Sequence, residues 1–194
     1  NDVGSLIFDD SLYATKRFTR YAIKSDLNFY HDYTNGIIYL YSTTNPATRF
    51  ESIEFNAGNH IISAKSYVTI DNLCIKYGGA HGVAAGTAEN LTAQNCEFGW
   101  IGGSIQSEGI FGRNYGTRYG NAVEIYGGCN NFTVTDNYIY QIYDAGITQQ
   151  VGVGKDDIKN QKNMTYARNV IEYCNYSIEY FLSGSAGHGN PSRM

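Results

Sequence analysis

The chain has 194 residues, long enough for one domain with a sizeable core. Its 14 Lys and Arg stand against 18 Asp and Glu, a net charge of −4 that argues against nucleic acid and anionic membrane surfaces, which both call for basic patches. Only 16% of residues are charged, and 22 Gly and 18 Tyr replace the usual helix formers, so an all-β chain with many tight corners is expected. No apolar run reaches the length of a membrane-spanning helix.

Residues 1–56 read as a β-rich flap or side module. Within it, 28–41 pattern as a β-hairpin, with Asn35-Gly36 as the turn signal. No helix is expected anywhere. The chain opens at Asn1 with neither Met nor a leader, and residues 183–194 read as a Gly-rich loop. A piece of a longer protein is the expectation.

From residue 57 to 182 one template recurs. Residues 68–75, 91–98, 132–139 and 164–171 align with apolar side chains at the first, third and eighth positions and Thr at the second. The step from 68 to 91 has the length of a bare coil, and the two longer steps would carry insertions. Alternating strands that break at a polar corner fit the rung of a right-handed parallel β-helix, a solenoid in which each coil stacks on the last. The inward column should hold Val68, Ile70, Ile75, Leu91, Phe98, Phe132, Val134, Ile139, Met164 and Ile171. The sixth position is Leu73, Cys96, Asn137 and Asn169. Asn137 and Asn169 would form a buried two-step amide ladder, with Cys96 and Leu73 filling the same column with apolar atoms.

A second strand follows each copy. Val83, Val123, Ile147 and Ile178 should point inward, so by the period of two Ala84, Glu124, Thr148 and Glu179 line one outward face. Rungs stack at about 4.8 Å, which puts the backbones of Glu124 and Glu179 roughly 10 Å apart. Leaning side chains would then meet the carboxylate spacing of about 6.5 to 9.5 Å that inverting glycosidases use. Asp144 enters the same face, or else caps the Gly146 turn. His81, at the equivalent corner in Ala-His-Gly-Val, would serve as an acid/base, bond a sugar hydroxyl, or simply bond its own turn.

Residues 102–120 form a long insertion just before Glu124. With Trp100, Arg113, Tyr115, Arg118, Tyr119 and Tyr143 it would wall a cleft, the aromatic faces stacking on sugar C–H groups and the arginines bonding hydroxyls or a carboxylate. The four cysteines, Cys74, Cys96, Cys129 and Cys174, have no CxxC pair and no His at ligand spacing, so neither a metal nor a cofactor is expected and free thiols are the simplest reading. Lys155-Asp156-Asp157 is a loop motif rather than the carboxylate cluster on a strand that a calcium-dependent lyase needs.

Several stretches resemble the right-handed β-helix repeat proteins of polysaccharide-degrading bacteria. They include Asp2-Val3-Gly4, residues 79–82, residues 100–104, residues 118–121 and residues 143–148. The resemblance covers residues 57 to 182. It implies a monomeric extracellular or cell-surface protein acting on a polysaccharide or oligosaccharide, as a glycoside hydrolase, as a lyase or epimerase, or as a non-catalytic glycan binder. It supplies a substrate class and no residue-by-residue mechanism. The residues themselves nominate Glu124, Asp144, Glu179 and His81 for chemistry, and Trp100, Tyr115, Arg118, Tyr119 and Tyr143 for sugar contacts.

Overall fold

A computed structural model of the chain describes residues 2–107, 116–151 and 161–182. The described residues are all-β and carry three parallel sheets. In the N-terminal part Val3–Phe8 runs antiparallel between Leu12–Tyr13 and Ile53–Ala57. The expected hairpin is Asn28–Asp32 against Ile37–Leu40, with Phe29 opposite Leu40 and Asp32 opposite Ile37. Its turn uses Gly36 at φ 67° and the Asp32 carboxylate, which accepts from Asn35 N–H at 3.2 Å. Leu6, Phe8, Leu27 and Phe29 form the small core of this part. Contrary to the expectation of no helix, Pro46–Arg49 makes one helical turn and Arg20–Ala22 one 3₁₀ turn. The first is set by Pro46 at the opening position and by Asn45, whose side chain accepts from Ala47 N–H at 3.1 Å.

Beyond residue 61 the chain visits three parallel sheets in rotation. The first sheet holds Ile62–Ser63, Val83–Gly86, Val123–Tyr126, Ala145–Val151 and Tyr176–Leu182. The second holds Thr69–Asp71, Glu89–Gln94, Asn130–Thr135 and Lys162–Ala167, and the third Cys74–Lys76, Glu97–Ile101, Tyr138–Ile142 and Val170–Glu172. The register follows the template. Thr69, Thr92, Thr133 and Thr165 pair in one row, and Ile75, Phe98, Ile139 and Ile171 in another. The shared core includes Ile70, Ile75, Val83, Leu91, Phe98, Val123, Phe132, Val134, Ile139 and Ile147.

Three expected core residues, Val68, Met164 and Ile171, are only half-buried, and Ile178 and Leu73 are exposed. All five lie on the first or last rung of the described stack, where a neighbour covers one side only.

Each pass through the three sheets bends at single left-handed residues. Asn72, Asn95, Asp136 and Arg168, at the fifth template position, have φ of 57°, 52°, 59° and 54°. Tyr77, Trp100, Gln141 and Tyr173 repeat this at the tenth position with φ of 64°, 57°, 52° and 53°. Asn and Asp tolerate that region through their short polar side chains, whereas Tyr, Trp and Arg are held there by the neighbouring rungs.

The corner after the second sheet carries the amide ladder. Asn137 Oδ1 accepts from Cys96 N–H at 2.9 Å, while Nδ2 donates to Ala93 C=O at 3.0 Å and to Asn169 Oδ1 at 2.9 Å. Asn169 repeats the pattern one rung on, accepting from Asn137 N–H at 3.1 Å and donating to Val134 C=O at 2.8 Å. Asn137 is buried and Asn169 half-buried. Each amide thus satisfies two backbone groups that the bend strips of sheet partners.

The N-terminal part is fastened to the stack by buried polar contacts. Asp2 accepts from Lys16 Nζ at 2.8 Å and from Ile105 N–H at 2.7 Å. Asn56 Nδ2 donates to Gly102 C=O at 2.8 Å. Gly4 sits in the seam, where a Cβ would lie 2.4 Å from Ser104 N.

Candidate carboxylate site

The site begins with the inward packing of Val83, Val123 and Ile147, which are fully buried and fix the phase of the first sheet. One residue on, Ala84, Glu124, Thr148 and Glu179 occupy one row of that sheet. Glu124 and Glu179 are therefore two strand steps apart, about 10 Å at the backbone, with Thr148 between them. Thr148 is buried, and its hydroxyl donates to Glu179 at 3.0 Å.

Glu124 is clamped from the loop side. Asn121 Nδ2 donates to its Oε2 at 3.3 Å, and His81 Nε2 makes a closer contact with the same oxygen. His81 Nδ1 accepts from Asn121 N–H at 3.1 Å. That bond fixes the tautomer, so Nε2 carries the proton and donates to Glu124. Asn121 is itself buried and accepts from Ala145 N–H at 2.9 Å, which ties the clamp to the next rung.

The His81 ring lies between His60, at 4.8 Å, and Tyr119, at 5.4 Å. Both ring nitrogens of His81 are engaged, both faces are covered and 3% of the residue is exposed. Its contacts are with Glu124 through Nε2 and with the Asn121 backbone through Nδ1.

Asp144 follows at the next strand entry, half-buried. Burial, the negative charge of Glu179 and, more weakly, that of Glu124 push its carboxyl above the usual range, against the opposing pull of His81 and a hydrogen bond from Asn175. Burial and the Glu124 charge likewise push the Tyr119 phenol up. Burial and the His81 ring push the His60 imidazole down, against the pull of Glu124.

The structure therefore brings together Glu124, Asp144, Glu179, His81 and Tyr119. It places the remaining candidates elsewhere. Trp100 is 2% exposed and packed edge-on between Tyr13, at 4.6 Å, and Tyr140, at 6.4 Å, so it has no free face for a sugar. Its left-handed backbone turns the ring under the N-terminal part, where Nε1 is buried without a partner among the described residues. Arg118 stacks on Tyr143 at 4.5 Å on the other side of the chain from Tyr119. Tyr115, Arg113 and Lys155-Asp156-Asp157 lie outside the described residues.

The insertion itself is not structureless at its base, because Ile105–Ser107 pairs antiparallel with Thr117–Arg118. His60, Asn121 and Asn175 were missed by sequence reasoning. His60 and Asn121 left a signal, since they stand two residues before Ile62 and Val123, the register partners of Val83, just as His81 stands before Val83, whereas Asn175 left none.

Among the described residues no group of three or more His, Cys, Asp or Glu is arranged to hold a metal ion, and all four cysteines are free. No described helix is long and apolar enough to cross a membrane. Two cavities of about 410 Å³ lie on other corners, one lined by Ser66, Glu89 and Lys162 and one by Asn72, Glu97 and Tyr138. Neither touches the carboxylate cluster. No family model, curated protein or solved structure matches this chain.

Proposed function

We propose that the three parallel sheets are the faces of a right-handed parallel β-helix, and that the protein is an extracellular glycoside hydrolase acting on polysaccharide. The observation that carries the reading is the contrast between two neighbouring carboxyls. Asp144 is pushed toward its protonated form by burial and by Glu179. Glu124 accepts N–H donors from both Asn121 and His81, an arrangement that suits a carboxylate. Two carboxyls in unlike environments are the usual division of labour between acid and base.

In this scheme Asp144 gives its proton to the glycosidic oxygen as the C–O bond breaks. Glu124 takes a proton from the water that attacks the anomeric carbon, and the water oxygen ends on the sugar. Glu179, held by Thr148, adds its negative charge to the burial that pushes the Asp144 carboxyl up, and accepts from a sugar hydroxyl. Tyr119, stacked on His81, borders the ring.

The test is kinetic. Glu124→Gln, Asp144→Asn and Glu179→Gln would be assayed on xylan, pectin and fucosylated oligosaccharides, and on aryl glycosides with good leaving groups. Glu124→Gln and Asp144→Asn are expected to lose about 10²- to 10⁴-fold on polysaccharide. Asp144→Asn should recover much of that on an activated aryl glycoside, which needs no acid. If all three variants keep activity within a few-fold of the parent, the chemistry lies elsewhere. If glycans bind uncleaved, the protein is a binding module.

A further inference from the structure

A smaller cavity, of about 280 Å³, opens where the N-terminal part meets the corner between the third and first sheets. It belongs to none of the groups placed in the carboxylate cluster. Its wall carries two cations, Lys16 and Arg118, and no carboxylate. The two differ in how they are satisfied. Lys16 is buried against Asp2, which neutralises it at 2.8 Å.

Among the described residues Arg118 hydrogen-bonds to backbone, Nε donating to Gly103 C=O at 2.5 Å and Nη2 to Gly4 C=O at 3.1 Å. Its flat face lies over Tyr143. Among the described residues no carboxylate pairs with it, and Nη1 is left available. Burial pushes the guanidinium down, opposed by Tyr143 and, more weakly, by the charge of Asp2. The cavity is therefore one positive charge in excess, in a chain whose net charge is −4. Ser5 and Thr15 stand on the same wall, and Tyr173, 73% exposed, stands at the edge with its ring free to stack.

We propose that this cavity is a binding site for one acidic sugar unit, its carboxylate received by Arg118 and its ring lying against Tyr173. A fixed, planar, backbone-braced guanidinium is the donor that matches a carboxylate, and it charges no side-chain ordering at the moment of binding. The hydroxyls of Ser5 and Thr15 suit the ring oxygens. The volume is near the lower bound of ligand pockets, about 300 Å³, which fits a single ring and not a chain. Within residues 117–119 the alternation of a strand sends Arg118 into this cavity and Tyr119 toward Glu124, so the two sites sit back to back across one segment. The proposal does not rest on the hydrolase reading.

The whole chain carrying Asp144→Asn, so that turnover is suppressed, would be titrated with galacturonate, galactose and acetate while the emission of Trp100 is followed. Trp100 is the one tryptophan of the chain and packs on Tyr13, a wall residue of the cavity. Galacturonate should bind at least about tenfold more tightly than galactose, which lacks the carboxylate that pairs with Arg118, and at least about threefold more tightly than acetate, which keeps that pair but lacks the ring that lies on Tyr173. Its affinity should fall with added salt. Arg118→Gln should abolish that preference. Because Arg118 also braces Gly4 and Gly103, Tyr173→Ala serves as the second variant. It should weaken galacturonate about threefold or more with an unchanged melting temperature. Equal affinities for galacturonate and galactose, acetate binding as tightly as galacturonate, no binding at all, or full binding in both variants would each overturn the proposal. None of these outcomes bears on whether Glu124 and Asp144 cleave a glycoside.

Discussion

Replacing Asn137 with Ala tests the amide ladder where it is most exacting. The substitution removes the acceptor of Cys96 N–H and the donor to Ala93 C=O, and both of those residues are buried. An orphaned buried backbone group costs about 1 to 3 kcal/mol, so two of them should cost about 2 to 4 kcal/mol once partial relaxation is allowed. Asn169→Ala orphans Asn137 N–H and Val134 C=O, but Asn169 is half-buried and water can reach its place, so about 1 kcal/mol is expected there.

Asn137→Leu separates packing from hydrogen bonding. If the column were only filled space, Leu would cost much less than Ala. Urea unfolding followed by Trp100 emission, with the slope checked for constancy, gives all three values. A loss below about 0.5 kcal/mol for Asn137→Ala, or a Leu variant as stable as the parent, would refute the argument that the corner depends on its amides.

The carboxyl of Asp144 is raised in the folded state, so the stabilisation from its protonated form is fully present below the ordinary carboxylate pKa and is lost as pH rises through the higher folded value. Asp144→Asn should therefore raise the melting temperature at pH 7 to 8 and leave it nearly unchanged near pH 4, which calorimetry at the two pH values checks. If the hydrolase scheme is right, activity should fall on the alkaline side as Asp144 ionises, and the pH–rate profile of Asp144→Asn on an aryl glycoside should lack that limb. Arg168 sits in the left-handed region, where its bidentate pair with Asp136 is exposed and worth little, so Arg168→Asn should be neutral or stabilising by up to about 1 kcal/mol in chemical unfolding.

Much of the scaffold could be read from residue order. The Thr row and the apolar positions around it predicted the register of the second and third sheets, because a parallel stack places equivalent residues on top of one another. The same logic placed Glu124, Thr148 and Glu179 in one row. What escaped the sequence depends on contacts between distant segments. Nothing in the residue types marks Tyr77, Trp100 or Tyr173 as left-handed corners, since bulky side chains disfavour that region and only the surrounding rungs impose it. Trp100 was expected to wall a sugar cleft because it adjoins the 102–120 insertion, whereas it packs on Tyr13, far away in the chain. The hydrogen-bonding of His81 depends on Asn121 N–H, a contact between residues 40 apart in the chain.

The three corners of the stack are not equal places to build. Between the second and third sheets the connection is always two residues, 72–73, 95–96, 136–137 and 168–169, one left-handed and the next facing the ladder column. A residue added there would slip every side chain of the following strand to the wrong face and unseat the amides above and below. The other two corners vary freely in length, from the two residues at 87–88 to the segment that carries the 105–118 hairpin. New recognition surface can therefore be grafted onto two edges of this molecule, while the third acts as a fixed spine that keeps the pitch constant as the loops opposite it diverge.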